Sequence, residues 1–132
     1  MKLKIAYWVF TVGMCGIFLF SASMYLTNYE MISGYFENNM GFPAWMVYPL
    51  AIAKILGVVA IVSGLSRMLK EWAYAGFFFD SVMAFSAHYM AEDGAGGMAL
   101  FAIIATIGSR ILWGLLEKKK RECVLFCVSL GN

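Results

Sequence analysis

The chain holds only one histidine, two prolines and three cysteines, and charged side chains make up 14% of it. A single imidazole excludes bis-histidine haem ligation. With no C-x-x-C pair or iron–sulfur spacing either, the chain has no intrinsic redox centre. Cys15 sits inside an apolar run, and Cys123 and Cys127 form a C-x3-C pair with no histidine beside it. Neither a disulfide framework nor a metal site is expected from these three; the tail thiols read as unpaired or lipidated. The net charge of +2 gives no basis for nucleic-acid binding, because the basic residues are used for topology. No internal repeat and no low-complexity linker is present.

Apolar side chains dominate: 62% of the chain is hydrophobic and the mean hydropathy is +0.76, well away from soluble domains. Four runs are long enough to cross a hydrocarbon core, which takes roughly 17 to 25 helical residues. They are Ile5 to Leu26, Ala44 to Leu65, Trp72 to Met90 and Met98 to Leu116. Lys2 and Lys4 precede the first, Arg67 and Lys70 separate the second from the third, and Lys118, Lys119, Lys120 and Arg121 follow the fourth. The other two loops carry only acids, Glu30 and Glu37 in one, Glu92 and Asp93 in the other. The excess of lysine and arginine on one side puts both termini in the cytoplasm. Tyr7, Trp8, Trp72, Tyr74 and Trp113 near the inner ends and Tyr25, Trp45, Tyr48 and Tyr89 near the outer ones agree with that orientation. The first run is read as a span and not a cleaved leader, because it exceeds the roughly 7 to 15 apolar residues of a signal peptide.

The expected fold is all-α, a transmembrane four-helix bundle forming one domain over residues 1–121, followed by a short cytoplasmic tail over 122–132. The tail is apolar and too short to cross the membrane; it either packs on the bundle or is disordered. In the first outer loop, Thr27-x-x-Glu30 has capping-box spacing, and Gly41 and Pro43 stop a helix. Tyr29, Ile32, Phe36 and Met40 share one side of it, the pattern of a short amphipathic helix in the interface. It serves as a cover for the bundle or as a lid over a site. Pro49, one turn above Lys54, is expected to kink the second span and free the Trp45 carbonyl.

Two charges fall in the middle of spans. Lys54 and Asp80 each lie ten residues from the outer end of their run, a depth of about 15 Å at 1.5 Å per residue. Each costs about 2.5 to 3.5 kcal/mol at a helix centre, so pairing is expected. Small-residue stripes, Ala53, Gly57, Ala60 and Gly64 beside Lys54 and Ala73, Gly76, Ala84 and Ala87 beside Asp80, would turn both charges inward. His88 follows two turns after Asp80 on the same face, and Tyr48 and Ser21 lie at intermediate depth. Together Lys54, Asp80, His88, Tyr48 and Ser21 make the candidate ligand pocket, with no metal. Arg110, about 9 Å from the inner end of the last span, either snorkels to the interface or joins this cluster.

Gly41-Phe42-Pro43-Ala44-Trp45, Ala53-Lys54-Ile55-Leu56-Gly57, and above all the segment Lys70 to Asp80 (KEWAYAGFFFD) with Ser86-Ala87-His88 resemble the DoxX-like family of small four-span membrane proteins. The resemblance covers about residues 5 to 116. It implies a four-helix bundle in a bacterial cytoplasmic membrane. The family takes its name from a subunit of a thiosulfate:quinone oxidoreductase; some relatives are linked to thiol redox homeostasis, and others act without redox chemistry.

Three functions remain open on the sequence. A quinone-associated oxidoreductase subunit would use Lys54 and His88 as donors to the quinone and Asp80 as proton relay, with electrons supplied by a redox partner or an exogenous cofactor. An assembly or scaffold protein would use the charge pair only to fix its fold. A carrier of protons or small anions, built from four spans without inverted symmetry, would need a homo-oligomer.

Overall fold

Each apolar run folds as a helix, and the loop between the first two adds a short one. The computed structural model describes residues 1–92, 94 and 96–130, with backbone alone for 128–130; Asp93, one of the expected outer-loop acids, lies outside the described residues. The helices are α1 (Lys2–Thr27), α2 (Tyr29–Tyr35), α3 (Val47–Ser63), α4 (Arg67–Ala91) and α5 (Gly96–Leu130). A π turn over Phe36–Met40 extends α2, and a 3-10 turn over Ala44–Met46 leads into α3. The four long helices form a ring in which each packs on two neighbours, in the order α1, α3, α4, α5. This is the helical membrane bundle that the composition implies.

By length and composition, three of the long helices qualify as spans: Lys2–Thr27, Ala44–Ser63 and Gly96–Cys127. The fourth, α4, carries Arg67, Lys70, Glu71 and Asp80, and it belongs to the bundle by packing. The core runs through Met14, Phe18, Val58, Ile61, Tyr74, Phe77, Ala105 and Trp113. On α1 the buried residues Tyr7, Thr11, Met14, Cys15, Phe18 and Ala22 follow helical spacing, while the opposite face is equally apolar with Ile5, Val9, Val12, Leu19 and Phe20 exposed. That is the composition of a helix whose outer face meets lipid, where apolarity does not distinguish inside from outside.

Local signals decide the helix ends. Gly41 (φ 67°) and Gly64 (φ 61°) close the π turn and α3 in the left-handed conformation that glycine adopts without penalty. The capping box does not form. Thr27 belongs to α1 and its hydroxyl donates back to the Ser23 carbonyl at 2.9 Å, so Asn28 becomes the residue before α2. Pro49 falls in the first turn of α3, where a missing N–H is tolerated, and not in the interior of the span.

The small-residue stripes are the second departure. Ala53, Gly64 and Gly76 are exposed, and a Cβ added at Gly76 would meet nothing within 4 Å. The buried stripes consist of Val47, Ala51, Lys54, Val58 and Ile61 on α3 and Lys70, Tyr74, Phe77 and Ser81 on α4. Of the small residues, Gly57 does admit a close neighbour: its own Cβ would stand 2.7 Å from Phe77 Cζ. The tail also differs. No glycine or proline interrupts the chain from Leu115 to Leu130, and α5 continues through it, leaving Cys123, Val124, Leu125, Phe126 and Cys127 exposed. At 35 residues α5 is about 52 Å long, well beyond the roughly 30 Å of a hydrocarbon core.

Candidate functional site

α3 and α4 carry Lys54 and Asp80 to the same level, and their side chains meet. Lys54 Nζ lies 3.4 Å from Asp80 Oδ2 and donates a hydrogen bond to Ser21 Oγ at 2.9 Å. It also stands 4.2 Å from the centroid of the Tyr25 ring, a cation–π contact that depth arithmetic did not reveal. The ammonium is nearly buried while the Asp80 side chain is 23% exposed, so the carboxylate is the partner that opens onto the adjoining space.

That space is a cavity of about 410 Å³ in the half of the bundle nearer α2. Its walls are Ile17, Phe18, Phe20, Met24 and Tyr25 of α1, Ala84 of α4, and Met98, Ala99 and Ala102 of α5. Ile32, Tyr35, Phe36 and Met40 of the loop helix close it from above, so the amphipathic segment roofs the site as well as covering the bundle. Lys54, Asp80, Ser21 and Ser81 supply its polar atoms below, and His88 lines it beside Tyr35, with ring centroids 6.3 Å apart. A second, open depression on the far side of His88 is formed with Phe85, Tyr89, Glu92 and the glycines that start α5.

Two candidates lie elsewhere. Tyr48 is exposed and stacks on Tyr29 at 4.6 Å, outside the cavity. Arg110 neither snorkels freely nor joins the central cluster. It grips Glu71 through both ends of its guanidinium, Nε to Oε2 at 2.8 Å and Nη2 to Oε1 at 2.7 Å. Its guanidinium also lies 5.0 Å from the Trp113 ring. With both partners more than a third exposed, this pair is expected to contribute no more than about 1 kcal/mol. Arg110→Gln should therefore lower the unfolding free energy in detergent by less than that, which a thermal or denaturant melt will read.

Sequence reasoning missed a second polar cluster at the end of the bundle that carries the N-terminus. Lys70 is buried and donates to the Tyr7 hydroxyl at 2.9 Å. Ser109 Oγ bridges the Tyr74 hydroxyl and Thr11 Oγ1, each at 2.7 Å. Run length leaves Lys70 in a loop, but the spacing Lys70, Tyr74, Phe77, Ser81 places it on the buried stripe of α4. Between the two polar regions Phe18 and Phe77 stack at 3.9 Å with 10° between their planes.

A ring of long apolar helices with a lysine–aspartate pair held between two of them is an integral membrane protein of the helical-bundle type. The sequence model of the DoxX-like family matches residues 9–109, and the chain belongs to that family. The match includes Ser21, Lys54, Asp80 and His88 and stops one residue before Arg110. Comparison with curated proteins and with solved structures gives no significant match.

Proposed function

We propose that the cavity beneath α2 binds the head of a quinone and that this chain is the membrane-embedded, quinone-binding subunit of an oxidoreductase. The observation that carries the reading is the cavity of about 410 Å³: apolar and aromatic walls, with an ion pair and a serine at one side. A quinone head is flat and apolar with two carbonyl acceptors, which asks for aromatic walls and a few placed donors. Lys54 would hold one carbonyl through an ammonium hydrogen, and Asp80 and Ser21 keep that ammonium in place. When bound, a quinone accepts two electrons and two protons. Asp80, the exposed member of the pair, and His88 at the edge of the cavity are the groups of this chain able to hold a proton there. Phe18, which lines the cavity, stacks on Phe77 behind it.

Electrons reach such a site from a partner protein in this reading. The family resemblance supports a bacterial cytoplasmic membrane, and the charge distribution supports both termini inside: Lys2, Lys4, Arg67 and the run Lys118 to Arg121 cluster at one end of the bundle, Glu30, Glu37 and Glu92 at the other. The cavity then lies in the outer half, beneath α2.

The test is mass spectrometry of small molecules retained on the purified protein. Quinone should accompany the wild type and fall about tenfold or more in Lys54→Met, which loses a charged donor but keeps the chain length. Tyr48→Phe, outside the cavity, should retain it in full. A wild type without quinone, or equal retention in a folded Lys54→Met, overturns the reading and favours a scaffold in which the pair only fixes the fold.

A further inference from the structure

We infer a second binding site, for a phosphate-type oxyanion, in the cavity at the end of the bundle opposite to the Lys54–Asp80 pocket. The cavity measures about 350 Å³ and brings together Lys4 of α1, Lys70 of α4, and Glu117 and Lys120 of α5, with the Tyr7 side chain between them. Three ammonium groups thus share one cavity with a single carboxylate. Among the described residues none of these lysines forms an ion pair.

Lys70 is the decisive residue. It is 92% buried, being 8% exposed, and its ammonium makes one hydrogen bond, to the Tyr7 hydroxyl at 2.9 Å. The Trp113 ring, 4.8 Å away, cushions the charge without neutralising it. An ammonium has three donors, so two are left for another acceptor. Lys54, buried to a similar degree, has its carboxylate in Asp80; among the described residues no carboxylate stands within ion-pair distance of Lys70. Like charges facing one cavity repel, and a bound anion reverses the sign of that interaction. A tetrahedral phosphate fits the arrangement, taking hydrogens from Lys70 at its base and from the exposed Lys4 and Lys120 at the rim. The remaining lining, Trp8, Ile61, Val62 and Leu116, is apolar. Two sources carry this group: inorganic phosphate, and the headgroup of an anionic phospholipid whose chains follow the apolar wall.

Thermal melts of the full chain in a neutral detergent separate them. Inorganic phosphate is titrated in one arm; phosphatidylglycerol, with phosphatidylcholine as control, in the other. A rise in Tm with phosphate supports a soluble anion. A rise with phosphatidylglycerol alone, against no change with phosphatidylcholine, supports a lipid headgroup. Affinity should drop about tenfold or more in Lys70→Met and be restored in part by Lys70→Arg. If Lys70→Met does not fold, Lys4→Gln/Lys120→Gln, altered only at exposed positions, should weaken the same probe about tenfold. No response of the wild type to either probe overturns the inference, as does unchanged affinity in the folded variants. Neither outcome depends on quinone retention, because the variants lie at the other end of the bundle.

Discussion

Asp80→Leu is expected to lower stability by about 3 kcal/mol or more, because it removes the carboxylate that, among the described residues, alone pairs with a nearly buried ammonium, and leaves the charge in place. Insertion scales for a charge at a helix centre give a similar figure, about 2.5 to 3.5 kcal/mol. The Ser21 hydroxyl and the Tyr25 ring remain beside Lys54 Nζ, which holds the loss toward the low end of the range for a broken buried pair, about 3 to 5 kcal/mol. The double variant Lys54→Met/Asp80→Leu should regain most of it, since well-packed apolar residues replace buried ion pairs at little or no cost. Unfolding of the two singles and the double in one detergent gives the coupling directly. A double variant no more stable than Asp80→Leu alone sinks the prediction. The same set separates the two meanings of the pair. If it serves only the fold, the stable double variant keeps its biological activity; if it serves the cavity, the double variant is stable and no longer holds quinone.

The level pair was legible because depth in a membrane helix is one-dimensional: two residues equally far from the same interface are level at 1.5 Å per residue. Rotation about the helix axis is a separate quantity, and there the reading failed. Tyr48 precedes Lys54 by six positions, which at about 100° per residue leaves the two side chains roughly 120° apart, and the structure puts Tyr48 on Tyr29. His88, eight positions after Asp80, lies roughly 80° round the helix from it, near enough to line the same cavity. Arg110 went unpaired in the sequence because the span was started at Trp72, one residue after its partner Glu71; α4 begins at Arg67. The stripes of small residues suggested helix contacts at Ala53 and Gly76 that do not form, since a glycine or alanine is equally at home facing lipid. Fold class, by contrast, followed from composition and run length alone, which dictate that every backbone polar group be satisfied inside a helix.

The bundle carries two buried lysines, Lys54 near its middle and Lys70 near the end that carries the N-terminus, and the difference between the two is chemical. Lys54 is neutralised in place and is suited to donate to a neutral acceptor in an apolar cavity. Lys70 shares its cavity with two further lysines and is suited to an anion. What keeps the two regions apart is the stack of Phe18 on Phe77, and that stack in turn depends on one missing side chain.

Gly57→Val is therefore expected to destabilise the protein by about 3 kcal/mol, the upper end for overpacking a core. A Cβ at position 57 stands 2.7 Å from Phe77 Cζ and 2.8 Å from Cε1, closer than carbon atoms tolerate. Phe77 is only 4% exposed and pinned against Phe18, so it cannot swing aside without breaking the stack. Valine adds bulk beyond the Cβ and, being β-branched, recovers little of the about 1 kcal/mol that glycine gives up in a helix. Gly108 is the internal control. A Cβ there would approach Phe10 Cδ1 to 2.8 Å, an equally short distance, but Phe10 is 37% exposed and has room to rotate toward lipid. Gly108→Ala should accordingly be neutral or gain up to about 1 kcal/mol in helix propensity. Paired melts of the two variants decide it: equal losses at both glycines would mean that distance alone, and not the freedom of the neighbour, sets the cost. Because Gly57 lies one turn from Lys54, the valine should also loosen the wall between the two polar regions, seen as weaker quinone retention in whatever fraction remains folded.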